Sequence, residues 1–230
     1  QQQAGNYQNQ IFQMIEGEKL GSFWGYTFAG IWQEDEVNAP FVDANGQTNG
    51  KTNGEVYKVK PGNSKYVDIN KDGVYNDADQ GIIGCGQPTF NWGWNNTFNY
   101  KNFDFSFFVV GFHGFDIYNA THQMGYNLIK SQQVAVVTPM RELLNRWTPT
   151  NTNTNIPGFV NGGTENKDFF STRFVENGSF IKMKSITLGY TLPETACRAL
   201  GITNLRVYAS VQNPFHITNY SGLDPEATMG

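Results

Sequence analysis

From Asn91 to Val109 bulky side chains fall at every second position with a single change of parity, and this alternation limits the folds open to the 230-residue chain more than any other feature. Trp92, Trp94, Phe98 and Tyr100 are separated by Asn91, Gly93, Asn95 and Asn99; after Lys101 and Asn102, the residues Phe103, Phe105, Phe107 and Val109 alternate with Asp104, Ser106 and Phe108. A period of two puts successive side chains on opposite faces of a strand. The segment therefore reads as a β-hairpin with a two-residue turn, one aromatic face and one face dominated by Asn, Gly, Asp and Ser. Such a sheet either buries its aromatic face in a soluble sandwich or turns it to lipid while the small polar face lines a lumen.

Other runs repeat the pattern less cleanly. Trp24, Tyr26, Phe28, Gly30 and Trp32 alternate with smaller residues, and Leu205, Val207, Ala209 and Val211 alternate with Arg206, Tyr208 and Ser210. Between Phe180 and Leu192 the apolar positions switch from odd (Ile181, Met183) to even (Ile186, Leu188, Tyr190, Leu192), which predicts a bulge near Lys184. A weaker strand, Tyr7 to Ile15, precedes the first turn. Short turns at Glu16 to Lys19, Lys101 to Asn102 and Pro193 to Thr203 alternate with long segments at about 33–88 and 113–178 and an irregular stretch at 214–230. Segments this long without regular strands are unusual in a compact soluble domain. Short turns on one side and long loops on the other is the layout of outer-membrane barrels, with the long loops outside the cell. Inside the second loop, Pro139 to Trp147 reads as a short helix with Leu143, Leu144 and Trp147 turned inward, stopped at Thr148-Pro149.

Composition narrows the classes further. Charged residues make up 16% of the chain against about 25% in an ordinary soluble domain, the net charge is -4, and Asn alone contributes 26 residues. Polarity without charge clusters excludes a highly charged disordered tail and a nucleic-acid binder. No stretch reaches the roughly 18 apolar residues of a membrane-spanning helix, which leaves a barrel open. Cys85 and Cys197 are too far apart in sequence to form a redox or zinc motif. The opening QQQAGNYQNQ has neither a basic nor an apolar signal region; with no initial Met, the chain reads as a processed or partial piece.

The strongest local motif is DINKDGVYNDAD, Asp68 to Asp79. Asp68, Asn70, Asp72, Asn76 and Asp79 place side-chain oxygens at loop positions 1, 3, 5, 9 and 12, Gly73 stands at the sharp turn, and Val74 offers its carbonyl at position 7. A hard cation such as Ca²⁺ needs six to eight oxygens about one point, and this spacing supplies them. The alternative is an Asn- and Asp-rich turn whose carboxylates are merely solvated. A metal here would be structural, pinning a long loop, and the shorter Asp at position 12 suits a weak extracellular site.

Four segments resemble the SusC/RagA-type TonB-dependent outer-membrane transporters: Leu20 to Gln33 (LGSFWGYTFAGIWQ), Tyr66 to Phe108, Arg173 to Pro193 (RFVENGSFIKMKSITLGYTLP) and Asn204 to Glu226 (NLRVYASVQNPFHITNYSGLDPE). They cover over half of the chain in the family's order, and the last two are specific to it. The resemblance implies an all-β fold, residues 1–230 being the C-terminal portion of a transmembrane antiparallel barrel of about 22 strands, of which this chain supplies about six. The N-terminal plug and the closing strand have no counterpart in the sequence. It also implies an outer-membrane location in contact with lipid, a SusD-like surface lipoprotein as partner, TonB acting through the plug, and import of an oligosaccharide or peptide. A secreted calcium-stabilised carbohydrate-binding or adhesive β-domain is the alternative reading.

Individual residues read more blandly. Trp24, Tyr26, Trp92, Trp94, Tyr100, Phe103, Tyr190 and Tyr208 could stack sugars, but on strands they read as lipid-facing or girdle residues. Trp147 and Phe159, in a long loop, are the substrate candidates. His113, His122 and His216 are scattered and read as loop hydrogen-bonders, and Glu142 with Arg146 reads as a surface ion pair. Neither Glu16 with Glu18 nor Asp224 with Glu226 is arranged as an acid and base pair, and no nucleophile elbow, phosphate loop or zinc motif occurs, so an enzyme is not indicated.

Overall fold

The structure is a computed structural model, and it describes residues 16–126, 141–158, 169–199 and 201–228. It divides into two compact units, one of residues 1–85 and 118–176, the other of 86–117 and 177–230. The predicted strand at Tyr7 to Ile15 and the substrate candidate Phe159 lie outside the described residues.

In the first unit the chain forms short strands: β1 (Ser22–Tyr26), β2 (Phe28–Ile31), β3 (Pro40–Val42), β4 (Thr48–Thr52), β5 (Ser64–Tyr66) and β6 (Gln80–Cys85). They pair in twos, β1 with β6, β2 with β5 and β3 with β4. Here the sequence expectation needs correction. The run Trp24 to Trp32 is two strands with different partners, and the 33–88 segment carries secondary structure of its own. Tyr26, expected to face lipid, is buried at 6% exposure, and Trp32 at the end of the run is buried as well. Helix α1 (Glu34–Asn38) follows β2, and α2 (Asn53–Tyr57) opens on a capping box in which the Glu55 N–H donates to the Thr52 hydroxyl and the Thr52 N–H to the Glu55 carboxylate. The core is aromatic. Tyr66 packs against Tyr26, Phe28, Tyr75 and Phe169, with ring centroids 5.1 to 6.1 Å apart, and Tyr57 stacks on Tyr75 at 5.2 Å.

The second unit is a single two-faced sheet. Its strands β7 (Phe90–Tyr100), β8 (Phe103–His113), β11 (Phe180–Thr191) and β12 (Arg206–Thr218) are antiparallel in the order β12-β11-β8-β7. Strands β9 (Asp116–Tyr118) and β10 (Val175–Asn177) are three residues each. Helix α3 (Ala120–Tyr126) belongs to the first unit, and α4 (Glu194–Ala199) fills the turn between β11 and β12. The β7–β8 turn is the predicted two-residue one: Lys101 adopts a left-handed backbone (φ 53), and Asn102 is tied to Thr191 by two hydrogen bonds of 2.7 and 2.8 Å. The predicted bulge is present. Lys184 has no partner in the register, which passes from Met183 to Ser185 against both neighbouring strands. On β12 the same place holds Asn213 (φ 49) and Pro214. Proline donates no ladder hydrogen bond and is confined to edges and bulges.

No described helix is long and apolar enough to cross a membrane. In the second unit a small core lies at the end of the sheet away from the short turns, made of Val110, Phe115, Ile117 and Phe180 with Phe112 and Tyr220 against it.

Candidate functional site

Cross-strand register sorts the side chains of the sheet into rows. On one face stand Trp94–Val109–Met183–Phe215, Asn96–Phe107–Ile186–Val211, Phe98–Phe105–Leu188–Ala209 and Tyr100–Phe103–Tyr190–Val207. On the other stand Asn95–Phe108–Ser185–Gln212, Thr97–Ser106–Thr187–Ser210 and Asn99–Asp104–Gly189–Tyr208. Apart from Asn96 the first face is apolar over four strands, and it is uncovered: Trp94, Phe98, Tyr100, Phe103, Leu188, Val211 and Phe215 are all exposed. An uncovered apolar surface this extended is untenable in water and suited to lipid. Its rings meet edge-on or stacked, as Trp94 on Phe107 (5.1 Å, 90°) and Phe98 on Phe105 (6.3 Å, 25°). Trp92 lies over Gly111, where a β-carbon would collide with the indole, and its Nε1 donates to His113 Nε2 at 3.2 Å. An amphipathic ring with a satisfied polar edge is the girdle arrangement.

Tyr208 is corrected by the same register. It stands on the polar face in the row of Asp104, with the Arg206 guanidinium 5.1 Å from its ring. Arg206 makes a bidentate bridge to Asp104, Nε to Oδ1 at 3.0 Å and a terminal nitrogen to Oδ2 at 2.6 Å. That bridge joins β12 to β8 across the intervening β11, and Gly189 lies beneath it: a β-carbon there would meet both Asp104 and Arg206. The polar face thus carries uncharged amides and hydroxyls through its middle rows, and its charges are paired.

In the first unit the 68–79 loop is closed by its own side chains. Asp68 Oδ2 accepts from the Gly73 N–H (2.9 Å) and the Tyr57 hydroxyl (2.8 Å), while Asp68 Oδ1 is buried with no partner. Asp79, 1% exposed, accepts from the Ile69 and Asn76 N–H groups. Asn70 Oδ1 caps the Asp72 N–H and Asp72 Oδ1 the Val74 N–H. Asp72 Oδ2 and the Val74 carbonyl converge on one amide, Nδ2 of Asn76, which donates to each at 3.2 Å. Gly73 has φ 83, and a β-carbon there would strike Val56. The Val74 N–H holds the Asp72 carboxyl below its ordinary range, with help from Asn70 and Asn76 against the opposing effect of burial. Burial, then the bond to Asp68, pushes the Tyr57 hydroxyl up, and burial pushes Tyr75 up to about 12. Among the described residues no three His, Cys, Asp or Glu side chains form a metal cage by themselves; the loop's donor set depends as well on Asn70, Asn76 and the Val74 carbonyl.

Trp147 does not present a free ring. It packs over Gly62 and Gly158, and its Nε1 donates to Gln33 Oε1 at 3.0 Å. The helix predicted around it is a 3-10 turn, Arg141–Asn145, in which Leu143 is buried but Leu144 is 79% exposed, contrary to expectation. A tighter turn eclipses every third residue and so narrows the buried stripe. Glu142 faces His122 at 3.4 Å, and Arg146 donates to the Leu143 carbonyl at 3.5 Å.

With this geometry in hand, likeness to known proteins is specific. Over 220 residues, 96% of this chain, it is 33% identical to TonB-dependent receptor P3 of Formosa agariphila, and over 172 residues, 74% of the chain, 31% identical to TonB-dependent receptor SusC of Bacteroides thetaiotaomicron. The chain belongs to the SusC/RagA-type TonB-dependent receptors. It spans about a fifth of the length of these curated relatives, 20% of the first and 16% of the second. No family model matches. The RagAB peptide transporter has the same fold over 90% of this chain and 20% of its own, with a TM-score of 0.63 at 23% identity. The sheet is accordingly a part of an antiparallel transmembrane β-barrel, the apolar rows being its lipid face and the polar rows its lumen face. Its relatives are receptors and transporters and not enzymes.

Proposed function

We propose that the protein containing this chain imports an oligosaccharide or peptide across the outer membrane, working with a SusD-like surface lipoprotein and drawing energy from TonB through a plug domain. The observation that carries the reading is the uncovered apolar face of the four-stranded sheet, backed by a lumen face of Asn, Thr and Ser with its charges paired. A conduit wall of neutral donors and acceptors passes polar solutes without trapping them. The test is the full-length protein in its own cell. It should fractionate with outer membranes, and its deletion should abolish growth on one polymeric nutrient; recovery of the protein as a soluble monomer would overturn the reading in favour of a secreted β-domain.

We further propose that Asp68, Asn70, Asp72, Val74, Asn76 and Asp79 hold a structural Ca²⁺. Support comes from the buried, unpartnered Asp68 Oδ1 and from the convergence of Asp72 Oδ2 and the Val74 carbonyl on a single amide. One buried oxygen without a partner, in a loop where a carboxylate and a carbonyl are already drawn together, is an arrangement that a hard cation completes. Metal analysis of the purified full-length protein should find calcium bound, lost in Asp72→Ala, with faster proteolysis of the 68–79 loop after chelation. Equal metal content in wild type and variant would refute it.

A further inference from the structure

Lys182 stands on the lumen face of β11, in register with Val110 and His216, and is 5% exposed. An ammonium so buried must be compensated. Its Nζ donates to Asp224 Oδ2 and to Glu226 Oε2, each at 2.7 Å, and Lys184, the bulge residue, reaches the other oxygen of Glu226. Both acids belong to the stretch that follows β12. That stretch turns back at once: the Thr218 hydroxyl donates to the Ser179 carbonyl, the Tyr220 N–H donates to the Thr218 hydroxyl, the Glu226 N–H donates to Asp224 Oδ1, and Pro225, between the two acids, is fully buried. Tyr220 packs on the Phe115–Phe180 core.

We infer that residues 219–228 form a strap fastened across the lumen face, with Lys182 and Lys184 as the positioning residues that hold its Asp-Pro-Glu. The lumen reading rests on the proposed barrel. The fastening rests only on the ion pairs. Two consequences follow from the placement. The bulge falls between two residues of the lumen face, Lys182 and Ser185, and Lys184, two along from Lys182, keeps that residue's parity and brings a second ammonium to Glu226. And a buried lysine that would otherwise give the upper lumen a strong positive site is neutralised by the chain itself, leaving the wall without net attraction for anionic solutes.

The test uses the full-length protein in detergent, challenged with chymotrypsin, whose sites Tyr220 and Leu223 lie in the strap. Asp224→Asn/Glu226→Gln, which removes both partly exposed acids, should be cut within 219–228 on the order of tenfold faster than wild type, while the barrel keeps its heat-dependent migration in gels. Lys182→Met is the second variant, expected to behave alike. Wild-type cleavage rates in both variants, in barrels shown to be folded, would overturn the strap. Soluble, non-barrel protein showing the same acceleration would support the fastening and refute the barrel reading instead.

Discussion

The two units place their aromatic residues in opposite surroundings. In the first, Tyr26, Trp32, Phe41 and Tyr66 are all buried, Tyr26 against Tyr66 and both Trp32 and Phe41 against Tyr57, among short strand pairs and loops. In the second, Trp94, Phe98, Tyr100 and Phe103 stand exposed on a regular sheet whose complement is lipid. The same residue types therefore report different solvents. In the sheet a long strict alternation is needed, because every second residue must tolerate hydrocarbon. In the loop unit alternation is accidental, because burial is set by contacts between segments distant in sequence, such as Tyr66 with Phe169 at 5.1 Å.

The comparison breaks most sharply under truncation. Tyr66→Ala should cost about 3–5 kcal/mol of local stability, since it removes a buried ring from a packed cluster. Phe98→Ala should cost about 1 kcal/mol or less, because lipid fills the space and no cavity forms. Proteolysis of the first unit and thermal unfolding of the barrel in lipid, measured on both variants, check the pair. Equal effects would mean that the sheet face is covered by protein.

Charge inverts the sensitivity. Ile186→Arg, on the apolar face in mid-strand, should destabilise the folded barrel by about 2–4 kcal/mol, whereas Thr187→Arg, one residue on and facing the lumen, should be nearly neutral. Denaturant unfolding in bilayers distinguishes them. If position 187 proved the more costly, the face assignment would be reversed.

These contrasts also explain what could be read from the sequence. The hairpin, its two-residue turn and the bulge at Lys184 were legible because each is a local parity signal. The split of Trp24 to Trp32 was not: β1 and β2 are separated only by Thr27 and part ways because β6 and β5, more than 30 residues further on, are their partners. Tyr208 was misplaced because an aromatic residue suggests lipid, while its even position, shared with Arg206 and Ser210, already put it on the other face. The Asp68–Asp79 motif was visible, but the Tyr57 hydroxyl on Asp68, which no spacing rule announces, was not. Nor was the link between Lys182 and the Asp-Pro-Glu stretch, since a hydrogen bond across more than 40 residues leaves no periodic trace.

A smaller effect tests the lumen face alone. Gly189→Val should cost about 1–3 kcal/mol by pushing apart the Asp104–Arg206 bridge above it, and Asp104→Ala should make the same substitution less costly. The double-mutant cycle reads this coupling; strictly additive losses would show that Gly189 is required for another reason.

The smallest expected effect separates two kinds of acid. Glu226 is held below its ordinary range first by Lys182 and then by Lys184, against burial, and Asp72 first by the Val74 N–H, also against burial. A carboxyl whose folded pKa is depressed adds stability that is present above its unfolded value and disappears as pH falls through the lower folded value. Amide protection factors, corrected for the intrinsic pH dependence of exchange and measured under chelating conditions, should therefore hold from neutral pH down to about 4.5 at 219–228 and about 4 at 68–79, and fall only below those values. Salt should distinguish the two. Screening weakens an ion pair more than a short backbone hydrogen bond, so about 0.5 M salt should raise the pH at which the strap opens and leave the 68–79 loop unmoved. If both shifted together, Asp72 would be held by charge as Glu226 is, and the distinction between a clamped strap and a self-capped loop would be lost.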